Sequence, residues 1–460
     1  MLHDLDSEAA LDPARVGAKA AWLGRARRAR LPILPGLVVD SAASLEHMSL
    51  GAKILADRGS GGARLAMTAA PPPLADELVA RAGQLGEVLV ARSSTGLEAS
   101  GEWSGAFTSY LEVSPAELPR AVTGCWASAF SVAALERQSA TGVDPGSVSM
   151  AVLVQPAIEP EAGGTARLET DGTVVVNGVK GSPAPLLQGW ASGHSGPELV
   201  EVIGVEAIER VEAILREAHE ATGANRCEWA LLDGEVWVLQ LGQAVPREPP
   251  RRIDPGPIDP RLTRIARIVI GYGEEAWERY LVEMGVGHSI DKVLLGPDPG
   301  PALDAIDRMT RTARRRAGEL LEPAGQPDIE HQGRRRGVGR WEPLVASIVL
   351  GTGDRVQGTP ASAGMGAGVS TRPGDFRVPL PSRSVLAAGQ PVPNLAPLLW
   401  DAAAIVTETG SPAAHLFESA RALRVPAVCG VTIPPGDLIV AVDGQDGVVA
   451  TISLHGEDDV

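Results

Sequence analysis

Residues 405–421 read Ile-Val-Thr-Glu-Thr-Gly-Ser-Pro-Ala-Ala-His-Leu-Phe-Glu-Ser-Ala-Arg: an apolar strand-forming run, a glycine-containing turn, then His415 at or near the start of a helix. Free backbone N–H groups and the helix dipole at such a start favour an arriving phosphoryl group. Histidine titrates near pH 6.5, so its neutral imidazole is available at pH 7 to attack phosphorus, and a covalent intermediate splits one difficult transfer into two easier ones. A histidine alone in a Gly/Ala context is more often structural, so the weight falls on what accompanies it. Lys19 follows Val16-Gly17-Ala18 just inside a second helix start, where its ammonium adds a point charge to an anion site. Arg92 precedes a small-residue loop in which Gly101, Ser104 and Gly105 can bring backbone amides close to phosphate oxygens, while the guanidinium offers a bidentate fork. Glu228 and Gln240 fall on the two arms of a hairpin, residues 227–231 and 236–240 around Asp233-Gly234.

The elements that must position these groups divide the chain. Up to about residue 245 the pattern is mixed α/β, with short β-branched runs such as 87–90 and 151–155 between Ala-rich helical stretches. Two halves are expected there, one to about Val113 and one to Gln240. Prolines 246, 249, 250, 255, 257 and 260 mark a boundary that neither a helix nor a central strand crosses. Residues 262–322 read as helical, with Leu262, Ile265, Ile268 and Val269 on one stripe and Leu303, Ile306, Met309 and Ala313 on another. Residues 311–340 are arginine-rich, either as a solvated face and linker or as a steering surface for a phosphorylated partner or substrate. After Val345 the texture turns to Gly/Ala/Ser-rich turns and short strands, a third compact unit.

The 460 residues allow two to four domains at about 100 to 200 residues each. With 57 acidic against 41 basic residues the formal charge is −16, which disfavours sequence-independent nucleic-acid binding, so an anionic ligand must be held locally. Three scattered cysteines, Cys125, Cys227 and Cys429, make neither a disulfide framework nor a thiolate zinc site and suit a reducing compartment. No stretch approaches the roughly 20 apolar residues of a membrane span, and the N-terminus lacks a signal pattern. The expectation is a cytoplasmic protein that binds neither nucleic acid nor membrane.

Taken in order, the motifs resemble the phosphoenolpyruvate synthase and pyruvate phosphate dikinase family, to which rifampin phosphotransferase is also similar. Thr407-Glu408-Thr409-Gly410, His415 five residues on, Arg421 six further, and Pro426-Ala427-Val428-Cys429-Gly430 resemble its phosphohistidine signature. Residues 16–23 and 31–39 resemble its nucleotide-domain opening, residues 90–98 and 101–111 its V-R-S-S-A and S-F-A-G blocks, and Glu228-Trp229-Ala230 with Gln240 its magnesium-binding strands. Three departures stand out: Ala414 where Ser or Thr usually precedes the histidine, Ser411 in place of a second glycine, and Gly242-Gln243 where Arg-Pro is expected, with Arg247 a candidate substitute.

The resemblance implies an α/β multidomain fold: an ATP-grasp-like nucleotide-binding domain over 1–245, a proline-rich linker and helical segment where an acceptor would bind over 246–345, and a C-terminal β/β/α swivelling phosphohistidine domain over 346–460. It implies a dikinase-type phosphotransferase that cleaves Mg-ATP. Lys19, Arg92, Gly101, Ser104 and Gly105 would hold the nucleotide, Glu228 and Gln240 the Mg2+ ion, and His415 would carry phosphate to a small-molecule acceptor, with AMP and phosphate released. No counterpart of the family's pyruvate-binding barrel is expected in these residues. Two alternatives stay open: a split system whose acceptor site lies on a separate protein, and a non-catalytic phosphocarrier or sensor, suggested by Gly242-Gln243.

Overall fold

The computed structural model describes residues 1–99, 101–244, 263, 266, 267, 270, 342–374 and 384–454. The proline-dense boundary at 246–260, Arg247, the two helical stripes and the arginine-rich residues 311–340 lie outside the described residues. By its contacts the chain forms two units. The first comprises Met1–Arg247 with Pro391–Pro397 and Ala413–Ala422; the second comprises Glu248–Gln390, Leu398–Pro412 and Leu423–Val460.

In the first unit, strands β1 (Leu2–Asp4), β2 (Leu37–Val39), β3 (Leu89–Thr95), β4 (Ser109–Val113) and β5 (Met150–Pro156) form an antiparallel sheet in the order β1-β2-β5-β3-β4. The first sheet therefore reaches beyond Val113: β5 is the apolar run Met-Ala-Val-Leu-Val, and it completes the sheet as the strand between β2 and β3. Its period-2 alternation serves two cores at once. Val152 and Val154 face Met48, Met67, Trp126 and Phe130, whereas Ala151 and Leu153 face Val16, Ala20 and Leu23 of helix α1 (Pro13–Arg28) together with Trp229 and Val238. Each fully buried Val, Leu or Phe among them contributes about 1.5–3 kcal/mol.

The second sheet of this unit is also antiparallel, in the order β10-β9-β6-β7-β8: β6 (Ala162–Leu168), β7 (Val174–Lys180), β8 (His194–Ser195), β9 (Arg226–Leu232) and β10 (Glu235–Gly242). The β9–β10 turn has positive φ at both Asp233 and Gly234, as a two-residue hairpin requires. A bulge at Leu239 then changes the parity of β10. Val236 and Val238 point into the core before it, Leu241 after it, so Gln240 and Gly242 turn to the opposite face, paired with Glu228 and Arg226.

The second unit holds an eight-stranded mixed sheet, β11-β18-β17-β13-β14-β15-β16-β12. Its strands are β11 (Asp354–Gln357), β12 (Thr359–Ser362), β13 (Met365–Thr371), β14 (Ser384–Ala388), β15 (Ala402–Thr407), β16 (Ala427–Cys429), β17 (Leu438–Asp443) and β18 (Val448–Ser453). β13 to β16 run parallel, and β15 is buried along its whole length, as parallel strands covered on both faces are. Parallel β15 and β16 need a crossover, and the helix His415–Ala422 provides it. That helix belongs by its contacts to the first unit.

Candidate active site

Helix α1 is broken at Gly17, whose φ of 72° and ψ of 172° are not helical. A Cβ there would meet the Ser94 carbonyl at 2.2 Å, so only glycine lets α1 approach β3 this closely. The Ser94 hydroxyl repairs the break by accepting from the Ala20 N–H at 3.1 Å and donating to the Val16 carbonyl at 2.7 Å. Lys19 is thus held at the start of the continuing helix. Its ammonium donates to the Ser93 carbonyl at 3.1 Å and to Glu98 at 2.5 Å, and the Glu98 side chain is 5% exposed. Burial pushes the Glu98 carboxyl up, and the nearby Lys19 charge and the Thr95 N–H offset this in part.

Arg92 projects from β3, half-buried, and donates to the carbonyl of the bulged Leu239 at 2.6 Å. Burial lowers its pKa, against the pull of the Glu228 carboxylate. The bulge that turns Gln240 toward Glu228 therefore also supplies the acceptor that fixes Arg92.

The loop after β3 does not stand alone. Trp103 and Phe107 stack at 5.6 Å, and buried Arg137 donates to the carbonyls of Glu102 at 3.2 Å, Ser104 at 3.0 Å and Pro393 at 3.2 Å. Burial brings the Arg137 guanidinium down to about 10. Gly101 and Gly105 lie against the histidine helix: a Cβ on Gly105 would meet His415 at 3.2 Å, and one on Gly101 would meet the Glu418 carbonyl at 3.2 Å.

His415 is the first residue of its helix, with its side chain 12% exposed. Its Nδ1 lies 2.9 Å from Ser104 Oγ, and the same hydroxyl is bonded to the Glu418 carboxylate. A serine has one hydroxyl proton. A carboxylate can only accept, so Ser104 donates to Glu418 and accepts from His415, which puts the imidazole proton on Nδ1 and the lone pair on Nε2. The hydroxyl that residue 414 lacks is thus supplied to the ring by residue 104. Glu418 in turn is ion-paired with Arg226, whose other nitrogen holds Glu228 at 3.1 Å. Burial would raise the Glu418 carboxyl, but Arg226, the hydrogen-bonded His415 and Arg421 more than reverse this and hold it at about 2.

The residues singled out in the sequence form one connected polar cluster. Lys19 meets Glu98, which lies within electrostatic reach of His415; Ser104 joins His415 to Glu418; Arg226 joins Glu418 to Glu228; and Arg92 lies beside Glu228 and Leu239. Glu98, Arg226 and Glu418 complete this cluster by their ion pairs, Arg137 holds the loop beside it, and none of the four was among the expected site residues. Glu228 and Gln240 are direct cross-strand partners, and Glu228 is 6% exposed. Their two oxygen donors beside Arg92 fit a hard cation whose remaining ligands come from phosphate and water. Among the described residues no group of three or more His, Cys, Asp or Glu forms a self-sufficient metal cage. The three cysteines are free and buried, and no helix among the described residues is long and apolar enough to cross a membrane.

Two family descriptions match the chain. Residues 65–190, which include Arg92 and the 101–105 loop, match the pyruvate phosphate dikinase AMP/ATP-binding domain. Residues 380–447, which include His415, match the mobile domain of PEP-utilising enzymes. The chain is also similar to a phosphoenolpyruvate synthase of Aeropyrum pernix, 24% identical over 505 aligned positions that cover 96% of this chain. It spans about 57% of that relative's length. An AMP/ATP-binding domain match followed on one chain by a PEP-utilising mobile-domain match, on a mixed α/β multidomain fold, makes the chain similar to the phosphoenolpyruvate synthase and pyruvate phosphate dikinase family.

Proposed function

We propose that the protein is an ATP-dependent dikinase-type phosphotransferase with a phosphohistidine intermediate at His415. The observation that carries this reading is the 2.9 Å contact between His415 Nδ1 and Ser104, which leaves Nε2 as the nucleophilic nitrogen beside the small-residue loop. Nε2 attacks the β-phosphorus of ATP, the bond to the α–β bridging oxygen breaks, and AMP leaves. Water then removes the γ-phosphate as inorganic phosphate, and the β-phosphoryl group passes from Nε2 to an acceptor oxygen. Ser104 and Glu418 hold the imidazole in one tautomer through this sequence and stabilise positive charge on Nδ1–H. Lys19 and Arg92 would grip the triphosphate, which is mostly a matter of positioning and charge stabilisation. Glu228 and Gln240 would hold Mg2+, whose chemistry when bound is to neutralise charge on the phosphate oxygens.

On this reading the two antiparallel sheets of the first unit form an ATP-grasp-like site and the histidine helix travels with a swivelling domain. The acceptor is a small molecule, presented by this chain or by a separate protein, and the setting is cytoplasmic, which suits three free buried cysteines. The test uses ATP labelled separately at the β and γ positions. The expected result is AMP formation with acid-labile β-label on the protein, abolished by His415→Ala. Label elsewhere on the chain, or ATP binding that never yields AMP with any acceptor or added partner protein, overturns the reading.

A further inference from the structure

Gly242 stands opposite Arg226 in the β9–β10 register, and the Leu239 bulge turns Gly242, like Gln240, to the face that Arg226 shares with Glu228 by strand alternation. Side chains at directly paired antiparallel positions occupy neighbouring space, and a Cβ at Gly242 would have nothing within 4 Å. A long side chain from residue 226 can therefore cover the ground that residue 242 leaves open. Arg226 is 12% exposed and is held by two carboxylates at once, Glu228 at 3.1 Å and Glu418. The second of these lies 3.5 Å from His415 Nδ1 and is bonded to Ser104, so the guanidinium sits one carboxylate away from the imidazole.

We propose that Arg226 is the phosphate-gripping cation of this site, taking from across the strand the place that Gly242 leaves without a side chain, and that Glu418 holds it beside His415 until phosphate arrives. The planar guanidinium fork suits a phosphate as well as it suits a carboxylate. A polyphosphate approaching His415 brings negative charge next to Glu418, which is repelled, and to Arg226, which is attracted. Arg226 then exchanges Glu418 for phosphate oxygens, and the Glu418 carboxylate remains with Ser104 to fix the ring. This inference rests on the phosphotransfer reading above.

A purely structural role, in which Arg226 only neutralises two buried carboxylates, predicts that removing either Arg226 or Glu418 harms the site in the same direction. Phosphate gripping predicts opposite signs. The test is calorimetric binding of the non-hydrolysable β,γ-imido analogue of ATP, with Mg2+ and again in EDTA, so that the readout depends on neither turnover nor metal. Arg226→Met weakens binding about tenfold or more in both conditions, as the loss of a charged hydrogen-bond partner does. Glu418→Gln, which keeps the acceptor for Ser104 and removes the competing charge, tightens it severalfold. Arg226→Lys, with a thermal midpoint near that of the parent, retains most of the affinity and separates charge from folding. Placing the cation on the other strand, Gly242→Arg in the Arg226→Met background, restores binding. Equal affinity of the parent and Arg226→Met, or parallel weakening by Arg226→Met and Glu418→Gln, overturns the inference and leaves the phosphotransfer reading standing; no binding of the analogue by the parent protein overturns both.

Discussion

Glu98 and Glu418 are both buried, both paired with a cation, and both within electrostatic reach of His415, yet their carboxyls move in opposite directions. Glu98 has one ammonium and one backbone N–H against its burial, and burial wins. Glu418 has the Arg226 guanidinium, the Ser104 hydroxyl and the adjacent imidazole and arginine, and these win. What separates them is the number and type of donors at similar depth: a planar guanidinium plus a hydroxyl repays desolvation that a single ammonium does not. The Lys19 end of the cluster is thus under-compensated, whereas the Arg226 end stays locked until a phosphate competes with Glu418 for the guanidinium.

The largest effect should come from breaking the locked end. Glu418→Ala leaves the Arg226 guanidinium buried with one carboxylate instead of two and removes the acceptor that sets the Ser104 hydroxyl. Breaking a buried pair in this way costs about 3–5 kcal/mol. Urea unfolding followed by tryptophan fluorescence measures it, and a loss under about 1 kcal/mol, the range of exposed pairs, would erase the distinction between the two ends.

Acid sharpens the same comparison without removing any atoms. The depressed Glu418 carboxyl contributes stability that is complete above its ordinary value of 4.5 and is lost as pH falls through about 2. Over that window the loss is about 3 kcal/mol. The raised Glu98 carboxyl has the opposite sign: it favours the folded state when protonated, and that advantage disappears as pH rises through its folded value. The acid-induced fall in unfolding free energy should therefore flatten in Glu418→Gln and steepen in Glu98→Gln. Slopes that change in the same direction in both variants would refute the assignment of the two environments.

Much of this arrangement is legible in the sequence, because the signals are local. Asp233-Gly234 between two largely apolar runs specifies the β9–β10 hairpin, and the glycine turn after an apolar run specifies His415 at a helix start. What was hidden is set by tertiary partners. The β-branched run at 87–90 marks only the start of β3, which extends from Leu89 to Thr95 because β4 and β5 pair with its two edges. The Leu239 bulge leaves no mark in composition: Val236 to Leu241 is apolar but for Gln240, and without the bulge Gln240 would face the core. Nothing local to Glu418 or Arg226 marks the two as partners. Their burial against one another, across 192 residues of sequence, follows from where the histidine helix packs.

The smallest expected effect tests the under-compensated end directly. In Glu98→Gln the side chain keeps its shape, and an amide is cheaper to bury than a carboxylate that burial already disfavours. What is lost is one acceptor: Lys19 at 2.5 Å and the Thr95 N–H at 3.2 Å must share a single carbonyl oxygen. The net change in unfolding free energy should be about 1 kcal/mol, the worth of one hydrogen bond, and well below that of Glu418→Ala. Lys19, relieved of its counter-charge but still anchored by the Ser93 carbonyl at 3.1 Å, then presents a fuller positive charge to an anionic ligand. Affinity for the imido analogue of ATP should rise modestly while stability falls modestly. If stability falls instead by as much as in Glu418→Ala, the Lys19 pair fully repays the burial of Glu98, and the two glutamates differ in degree alone.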